Sequence, residues 1–281
     1  MIPINTISIL NNRGGSLASY WKPQNIELVS YSSGISSPLT AEELLRLDTL
    51  LSYWKNGWGC SLLSDCADAI WILSSENQEV SLKNIVKDLH HCTTVNFPIY
   101  TANEGFASNG FSSYLRTHYI PSVNSNKFTL NSGSFGIYCR TTRLISASKS
   151  HGADNTIGDI RVNPYRLANT QAGKINDTTF QTSNTGSDTA VGMTTMIRTA
   201  NTSRRLVRNK DSGVLNTTPS RALLTEEMLL CAYSNSGTPA GFDEVQLALG
   251  FLTKGLTTNE MTILFDGFEA YLDSKGKGVV S

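Results

Sequence analysis

The sequence has little charge and none in excess. Its 281 residues include 23 lysines and arginines against 23 aspartates and glutamates, so the formal net charge is zero, and charged residues make up only 16% of the chain. A chain without excess positive charge has no electrostatic basis for binding nucleic acid or an anionic membrane as its main partner. A weakly charged, neutral surface favours association, as in a protein that is built into an assembly.

Long hydrophobic runs and a cysteine framework are missing as well. No apolar run approaches the roughly 20 residues that span a bilayer, and residues 1–5 lack the charged-then-apolar pattern of a signal peptide. We therefore expect synthesis in the cytoplasm and no membrane partner. The five cysteines are odd in number and lack CxxC spacing, so we expect them to be reduced and mostly buried. They are Cys60, Cys66, Cys92, Cys139 and Cys231.

Motifs for catalysis are absent from the sequence. There is no G-x-S-x-G elbow for nucleophilic catalysis and no G-x-x-x-x-G-K-[ST] loop for nucleotides. Glycoside hydrolases on a β-sandwich need two carboxylates on one strand face, about 5 to 9 Å apart. Here Glu226 and Glu227 are adjacent, as are Asp243 and Glu244, and adjacent strand residues point to opposite faces. The sequence therefore predicts that the protein is not an enzyme and has no cofactor.

Two groups of residues offer metal ligands, but neither has the spacing of a defined site. His90, His91 and Cys92 are consecutive and no second cluster with structural-zinc spacing follows, so we interpret the histidines as a surface or half-buried pair. The second group lies in a polar region and offers oxygen ligands for calcium, with a solvated loop as the alternative. It consists of Asp154, Asn155, Asp159 and Asn163. We predict no metal site.

The stretch over residues 97–140 has the pattern of a β-sheet. Short apolar segments alternate there with turn residues, including Asn109-Gly110, the strongest short-range reversal signal. In the last segment Phe135, Ile137 and Cys139 fall on one strand face. Further alternating segments predict strands over 191–197, 206–208, 229–233 and 247–251. The predicted fold class is therefore mainly β, with residues 145–192 as long polar loops.

Two helices are predicted on either side of these strands. Thr40 and Glu43 have the spacing of a capping box before a leucine stripe. Thr257 and Glu260 repeat that spacing before a second stripe, which we expect to pack on the sheet while Glu269 lies off it. This stripe comprises Met261, Leu264, Phe265, Phe268 and Leu272. Residues 68–73 are apolar and fit a buried strand or a helical turn equally well.

The first 38 residues are rich in Ser, Asn, Gly and Pro and cannot close a core of their own. We interpret residues 1–38 as an extended attachment arm with Tyr20, Trp21 and Tyr31 as candidate partner anchors. The alternative is a locally packed terminus. The remaining chain divides into a helical adaptor segment, 39–95, and a β-sandwich domain, 96–281.

One dense group of basic residues stands near the middle of the sandwich domain. It contains Arg204, Arg205 and Arg208. On a strand Arg204 and Arg208 share a face and Arg205 takes the opposite one, so the basic group is divided. We expect a solvated face, with a charged partner contact as the alternative.

Several short motifs occur in an order that resembles tailed-phage virion proteins with a laminin-G-like, or concanavalin A-like, sandwich. In chain order they are Asp68-Ala69-Ile70-Trp71-Ile72-Leu73, Gly105-Phe106, Asn109-Gly110, Tyr114-Leu115-Arg116-Thr117, Gly136-Ile137-Tyr138-Cys139-Arg140-Thr141, Gly241-Phe242, Gln246-Leu247-Ala248-Leu249-Gly250 and Gly255-Leu256-Thr257. A closing helix that ends at Tyr271-Leu272 follows. Two positions that are usually acidic in that pattern hold Asn109 and Arg116, so no ligand role is carried over to them.

The resemblance implies an antiparallel jelly-roll β-sandwich with an N-terminal arm, a helical segment and a closing C-terminal helix. It implies a structural component of a tailed-phage virion, with other virion proteins and copies of itself as partners. The competing function is a carbohydrate-binding adhesin or receptor-binding module that recognises host surface glycans through aromatic stacking and amide hydrogen bonds.

Overall fold

The computed structural model describes residues 25–32, 34–143, 149–166, 170–184 and 189–280. Within these ranges the strands form two sheets, of eight and nine strands, and every strand pair except β15 with β7 is antiparallel. Sheet 1 contains β1 (Ala67–Ile72), β3 (Ile99–Thr101), β4 (Gly105–Ala107), β6 (Gly133–Cys139), β11 (Gly192–Ala200), β12 (Ser203–Arg208), β13 (Val214–Asn216) and β17 (Gln246–Thr253). Sheet 2 contains β2 (Thr93–Val95), β5 (Tyr114–Arg116), β7 (His151–Asp154), β8 (Asp159–Asn163), β9 (Thr170–Asp177), β10 (Gln181–Asn184), β14 (Leu229–Leu230), β15 (Tyr233–Asn235) and β16 (Thr238–Ala240).

The two sheets enclose an apolar core, and this confirms the predicted β-sandwich. The core takes Phe135, Ile137 and Cys139 from β6 of sheet 1, as their alternation predicts. Sheet 2 contributes Ile160 and Val162 from β8, together with residues of its neighbouring strands. Alternation is the reason, because every second side chain of a half-buried strand meets the opposite sheet.

Helices cover the other face of sheet 1. They are α1 (Ile26–Tyr31), α2 (Ala41–Trp58), α3 (Gln78–Ser81) and α5 (Thr258–Asp273), with a short 3₁₀ turn over Leu63–Asp65. The short helix α4 (Pro121–Asn124) lies apart from them, where the backbone N–H of Ser122 donates to the carbonyl of Leu224. Thr40 and Thr257 each accept a hydrogen bond from the third residue of α2 and α5, but only Thr257 and Glu260 form the complete capping box, because the backbone N–H of Thr40 donates to Glu76 and not to Glu43. The stripe of α5 packs with α2 against sheet 1. No described helix is long and apolar enough to cross a membrane.

The strand pairing does not follow the predicted division at residue 95. Strand β1, inside the predicted helical adaptor, pairs with β17 over the length of the strand. Asp68 of β1 also accepts hydrogen bonds from the backbone N–H groups of Asn126, Lys127 and Phe128 and from the hydroxyl of Tyr119. Residues 67–72 are therefore an integral strand of the sandwich.

Three further expectations are wrong in detail. Residues 26–31 are helical and not extended. The region 145–192, expected to be loops, contains the strands β7 to β10. The expected solvated face at Arg204 and Arg208 is buried, because Arg204 shares the carboxylate of Asp177 with Arg198 and Arg208 donates to the carbonyl of Val191.

Candidate functional site

Sheet 2 has one face in the core and the other turned away from α2 and α5. On β8 and β9 the side chains of Ile160 and Ile175 point into the core, so those of Arg161 and Lys174 point to the outer face. Across the neighbouring strands β15, β7, β8 and β9, the paired residues follow in the order Tyr233, Gly152, Arg161 and Lys174. Phe180 follows next to Lys174, just before β10. We call Tyr233, Arg161, Lys174 and Phe180 the outer-face row.

Cation–π contacts hold the outer-face row together. The Arg161 guanidinium lies 3.5 Å from the ring centre of Tyr233 and 5.4 Å from that of Phe180. The Lys174 ammonium lies 4.4 Å and the Arg166 guanidinium 5.1 Å from the Phe180 ring centre. Both aromatic rings are partly exposed while Arg161 is buried beneath them. Arg161 therefore fixes the positions of two rings that solvent can reach.

Carboxylates neutralise the two cations of the row. Asp154 pairs with Arg161, and Asp159 lies 2.5 Å from the ammonium of Lys174. Burial raises the pKa of Asp159 above its ordinary value, and the bond from Lys174 offsets part of that rise. The row thus offers hydrogen-bond donors and acceptors between two rings, with Arg161 and Lys174 each paired to a carboxylate.

A buried polar cluster of Asp243, His151 and Arg143 lies at the start of β7, one of the strands of sheet 2. Asp243 lies 3.0 Å from Nε2 of His151 and 3.0 Å from the Arg143 guanidinium. Burial by itself would raise the pKa of Asp243, but His151 and Arg143 hold it below the ordinary value. Nδ1 of His151 accepts a hydrogen bond from the backbone N–H of Cys231 at 2.9 Å. The imidazole is therefore engaged at both nitrogens.

That engagement excludes a Cys-His-Asp catalytic arrangement at this point. Cys231 and His151 are both buried, and burial raises the pKa of the Cys231 thiol. A nucleophilic cysteine needs the opposite, an accessible thiol with a lowered pKa and a free base. We interpret the cluster as a structural support.

The carboxylates considered for glycoside hydrolysis are each engaged elsewhere. Glu227 accepts from Arg116 and from the backbone N–H of His118, and Glu226 accepts from Asn155. Glu244 pairs with Lys149, as Asp243 does with Arg143.

The predicted anchors do not form a site in the described part of the chain. Tyr20 and Trp21 lie outside the described residues. Tyr31, expected to be exposed, is buried in the core under the helices, because α1 packs against α2. Among the residues that the structure describes, its hydroxyl has no hydrogen-bond partner, and burial raises its pKa.

The calcium candidates lie on and between strands β7 and β8, with their oxygens already bonded. Asp154 and Asp159 belong to the ion pairs of the outer-face row. The side-chain oxygen of Asn163 accepts from Arg143, and that of Asn155 accepts from the backbone N–H groups of Ile157 and Gly158. Across the residues that the structure describes, no group of three or more His, Cys, Asp or Glu side chains is arranged to hold a metal ion.

Sequence reasoning missed the outer-face row because its members are far apart in the chain. Period-2 alternation over 159–163 and 170–177 was the available signal, since it places Arg161 and Lys174 opposite the apolar residues. Their juxtaposition with Tyr233 and Phe180 depends on strand order, which no local pattern encodes.

No protein-family model matches the chain, and no curated protein matches it. Solved structures do show a likeness. Domain 4 of an extracellular arabinanase from Geobacillus stearothermophilus, solved in complex with arabinotriose, has 14% identity and a TM-score of 0.48 and covers 71% of this chain and 98% of its own. The receptor binding domain of botulinum neurotoxin D has 6% identity and a TM-score of 0.47 and covers 73% of this chain and 54% of its own. A Trypanosoma rangeli sialidase mutant has 9% identity and a TM-score of 0.47 and covers 85% of this chain and 40% of its own. These identities indicate likeness of fold alone.

Proposed function

We propose that this protein is a carbohydrate-binding module that holds a glycan on the outer face of sheet 2. The observation that carries the proposal is the outer-face row, in which two partly exposed rings flank Arg161 and Lys174 on a sheet face turned away from the helices. The role proposed is binding and not catalysis.

The chemistry of the row suits a polyhydroxylated ligand. Sugar rings have apolar faces that stack on aromatic side chains and hydroxyls that both donate and accept hydrogen bonds. Asp154 and Lys174, both partly exposed, supply an acceptor and a donor beside the Tyr233 and Phe180 rings. Because carboxylates pair with Arg161 and Lys174, these two cations are already neutralised and do not favour phosphate or nucleic acid.

The wider hypothesis is that this module is displayed on a tailed-phage virion, alongside other virion proteins and copies of itself. It rests on the order of the short motifs from Asp68 to Thr257. Labelling of intact particles with an antibody to this chain tests it, and unlabelled particles would contradict it.

Binding to an array of bacterial-surface and host glycans tests the main proposal. For a glycan that binds, we expect Tyr233→Ala and Phe180→Ala each to weaken affinity about tenfold, since a stacked ring contributes on the order of 1 to 2 kcal/mol. Phe111→Ala, at an exposed ring in the connection between β4 and β5 and not in the row, is the matched control and should bind like the wild type. No binding on the array, or equal binding by all three variants, would overturn the proposal.

A further inference from the structure

Three apolar side chains protrude where the chain crosses between the two sheets. Phe97 lies in the connection from β2 to β3 and Phe111 in that from β4 to β5, and their side chains are 93% and 84% exposed. Ile99, at the start of β3, is 69% exposed. A hydrogen bond of 3.0 Å from the Asn96 side chain to the Ser112 carbonyl joins the two connections. We call Phe97, Ile99 and Phe111 the apolar tip.

The fold holds the apolar tip in place at an energetic cost. Asn96 and Phe97 have φ values of 52° and 55°, in the left-handed region that a bulky side chain rarely adopts. On the other connection the side chain of Asn109 accepts hydrogen bonds from the backbone N–H groups of Phe111, Ser112 and Ser113. Both rings are therefore presented on ordered connections.

The charges beside the tip are balanced. Residues 96–99 and 109–113 contain no Asp, Glu, Lys or Arg. Two charged side chains lie close to Gly110, the residue before Phe111. Measured from the position that a Cβ on Gly110 would take, a carboxylate oxygen of Glu244 is 3.2 Å away and the ammonium of Lys149 is 3.4 Å away. These two groups form an ion pair. The surroundings of the tip thus present one cation and one anion together.

We infer that the apolar tip inserts into the surface of a zwitterionic lipid bilayer. Protruding rings need a recess of matching shape on a protein partner, whereas a bilayer accepts them without one. The Lys149–Glu244 pair complements the phosphate and ammonium of a zwitterionic headgroup, and a chain with no net charge gains nothing from anionic lipid. This binding is independent of the glycan site.

Co-sedimentation of the full chain with phosphatidylcholine vesicles tests the inference. We expect the wild type to bind and a Phe97→Ser/Phe111→Ser double variant to bind at least tenfold more weakly. Val214→Ser/Leu215→Ser is the matched control, since both side chains are more than 60% exposed on β13, at the opposite edge of sheet 1. It should bind like the wild type, as should Tyr233→Ala, and melting curves verify that every variant is folded.

Two results would overturn the inference. One is a wild type that does not sediment with the vesicles, and the other is a double variant that binds as well as the wild type. If the double variant instead loses a signal on the glycan array while vesicles bind no form of the protein, the tip is a sugar contact. That outcome rejects the lipid inference, and because Phe111 is the control of the glycan experiment it also rejects the outer-face row as the sole glycan contact.

Discussion

At the scale of single residues, Phe97 combines an exposed ring with a left-handed backbone. Its φ is 55° and its side chain buries almost nothing. Asparagine tolerates this backbone region better than phenylalanine does. We therefore expect Phe97→Asn to increase the free energy of unfolding by about 1 kcal/mol in urea denaturation. Phe111→Asn is the control, since its backbone is not left-handed, and an equal gain there would contradict the explanation.

Glu269 makes stability depend on pH. The sequence places it off the stripe of α5, yet it is buried and accepts a hydrogen bond from the hydroxyl of Tyr138 on β6. Burial raises its pKa from 4.5 to about 7. Because the folded-state pKa is the higher one, the stabilisation is complete below the unfolded pKa and is lost as pH rises through the folded pKa.

We therefore expect the free energy of unfolding to fall by on the order of 2 kcal/mol between about pH 5 and pH 7.5. Glu269→Gln still accepts the bond from Tyr138 but cannot ionise, so most of the decrease should disappear. Denaturant unfolding of both proteins across this pH range measures the effect. The range stays below the pKa of Lys275, which burial lowers to about 8, so Lys275 stays largely charged throughout. Parallel pH profiles for the two proteins would rule out Glu269 as the cause.

At the scale of elements, α5 is part of the fold and not a detachable tail. Phe268 is fully buried, and its ring lies 5.2 Å from that of Tyr138 on sheet 1. Truncating a buried phenylalanine costs about 3 to 5 kcal/mol, a large share of a typical total of about 5 to 15. Phe268→Ala should therefore destabilise severely, whereas Asn259→Ala, exposed in the first turn of α5, should cost little. Small, equal effects in denaturant unfolding would mean that α5 docks elsewhere.

At the scale of the whole molecule, the sandwich needs residues that precede its predicted boundary. Strand β1 pairs with β17, and Asp68 binds three backbone N–H groups of the segment 126–128. We expect the fragment 96–281 to show no cooperative unfolding, because β17 loses a neighbour and those donors lose their acceptor. A fragment 25–281 is the control and should melt cooperatively. A cooperative transition of 96–281 near that of the control would restore the predicted boundary.

Several features of the fold follow from the sequence by itself. The alternation of Phe135, Ile137 and Cys139 fixes which face of β6 enters the core, and the N-cap residues Thr40 and Thr257 fix where α2 and α5 begin. These signals are local, since the period of a strand and the unsatisfied N–H groups of a helix start involve residues close in the chain.

Only the tertiary structure decided the rest. Strict alternation over 247–251 would place Leu247, Leu249 and Phe251 on one strand face. A β-bulge in the pairing with β6 interrupts it, so Leu247 lies in the core between the sheets while Leu249 and Phe251 lie under the helices. The outer-face row likewise exists because strand order brings Tyr233 beside Arg161. Strand order, bulges and buried ion pairs depend on contacts between residues far apart in the chain, and no local period records those contacts.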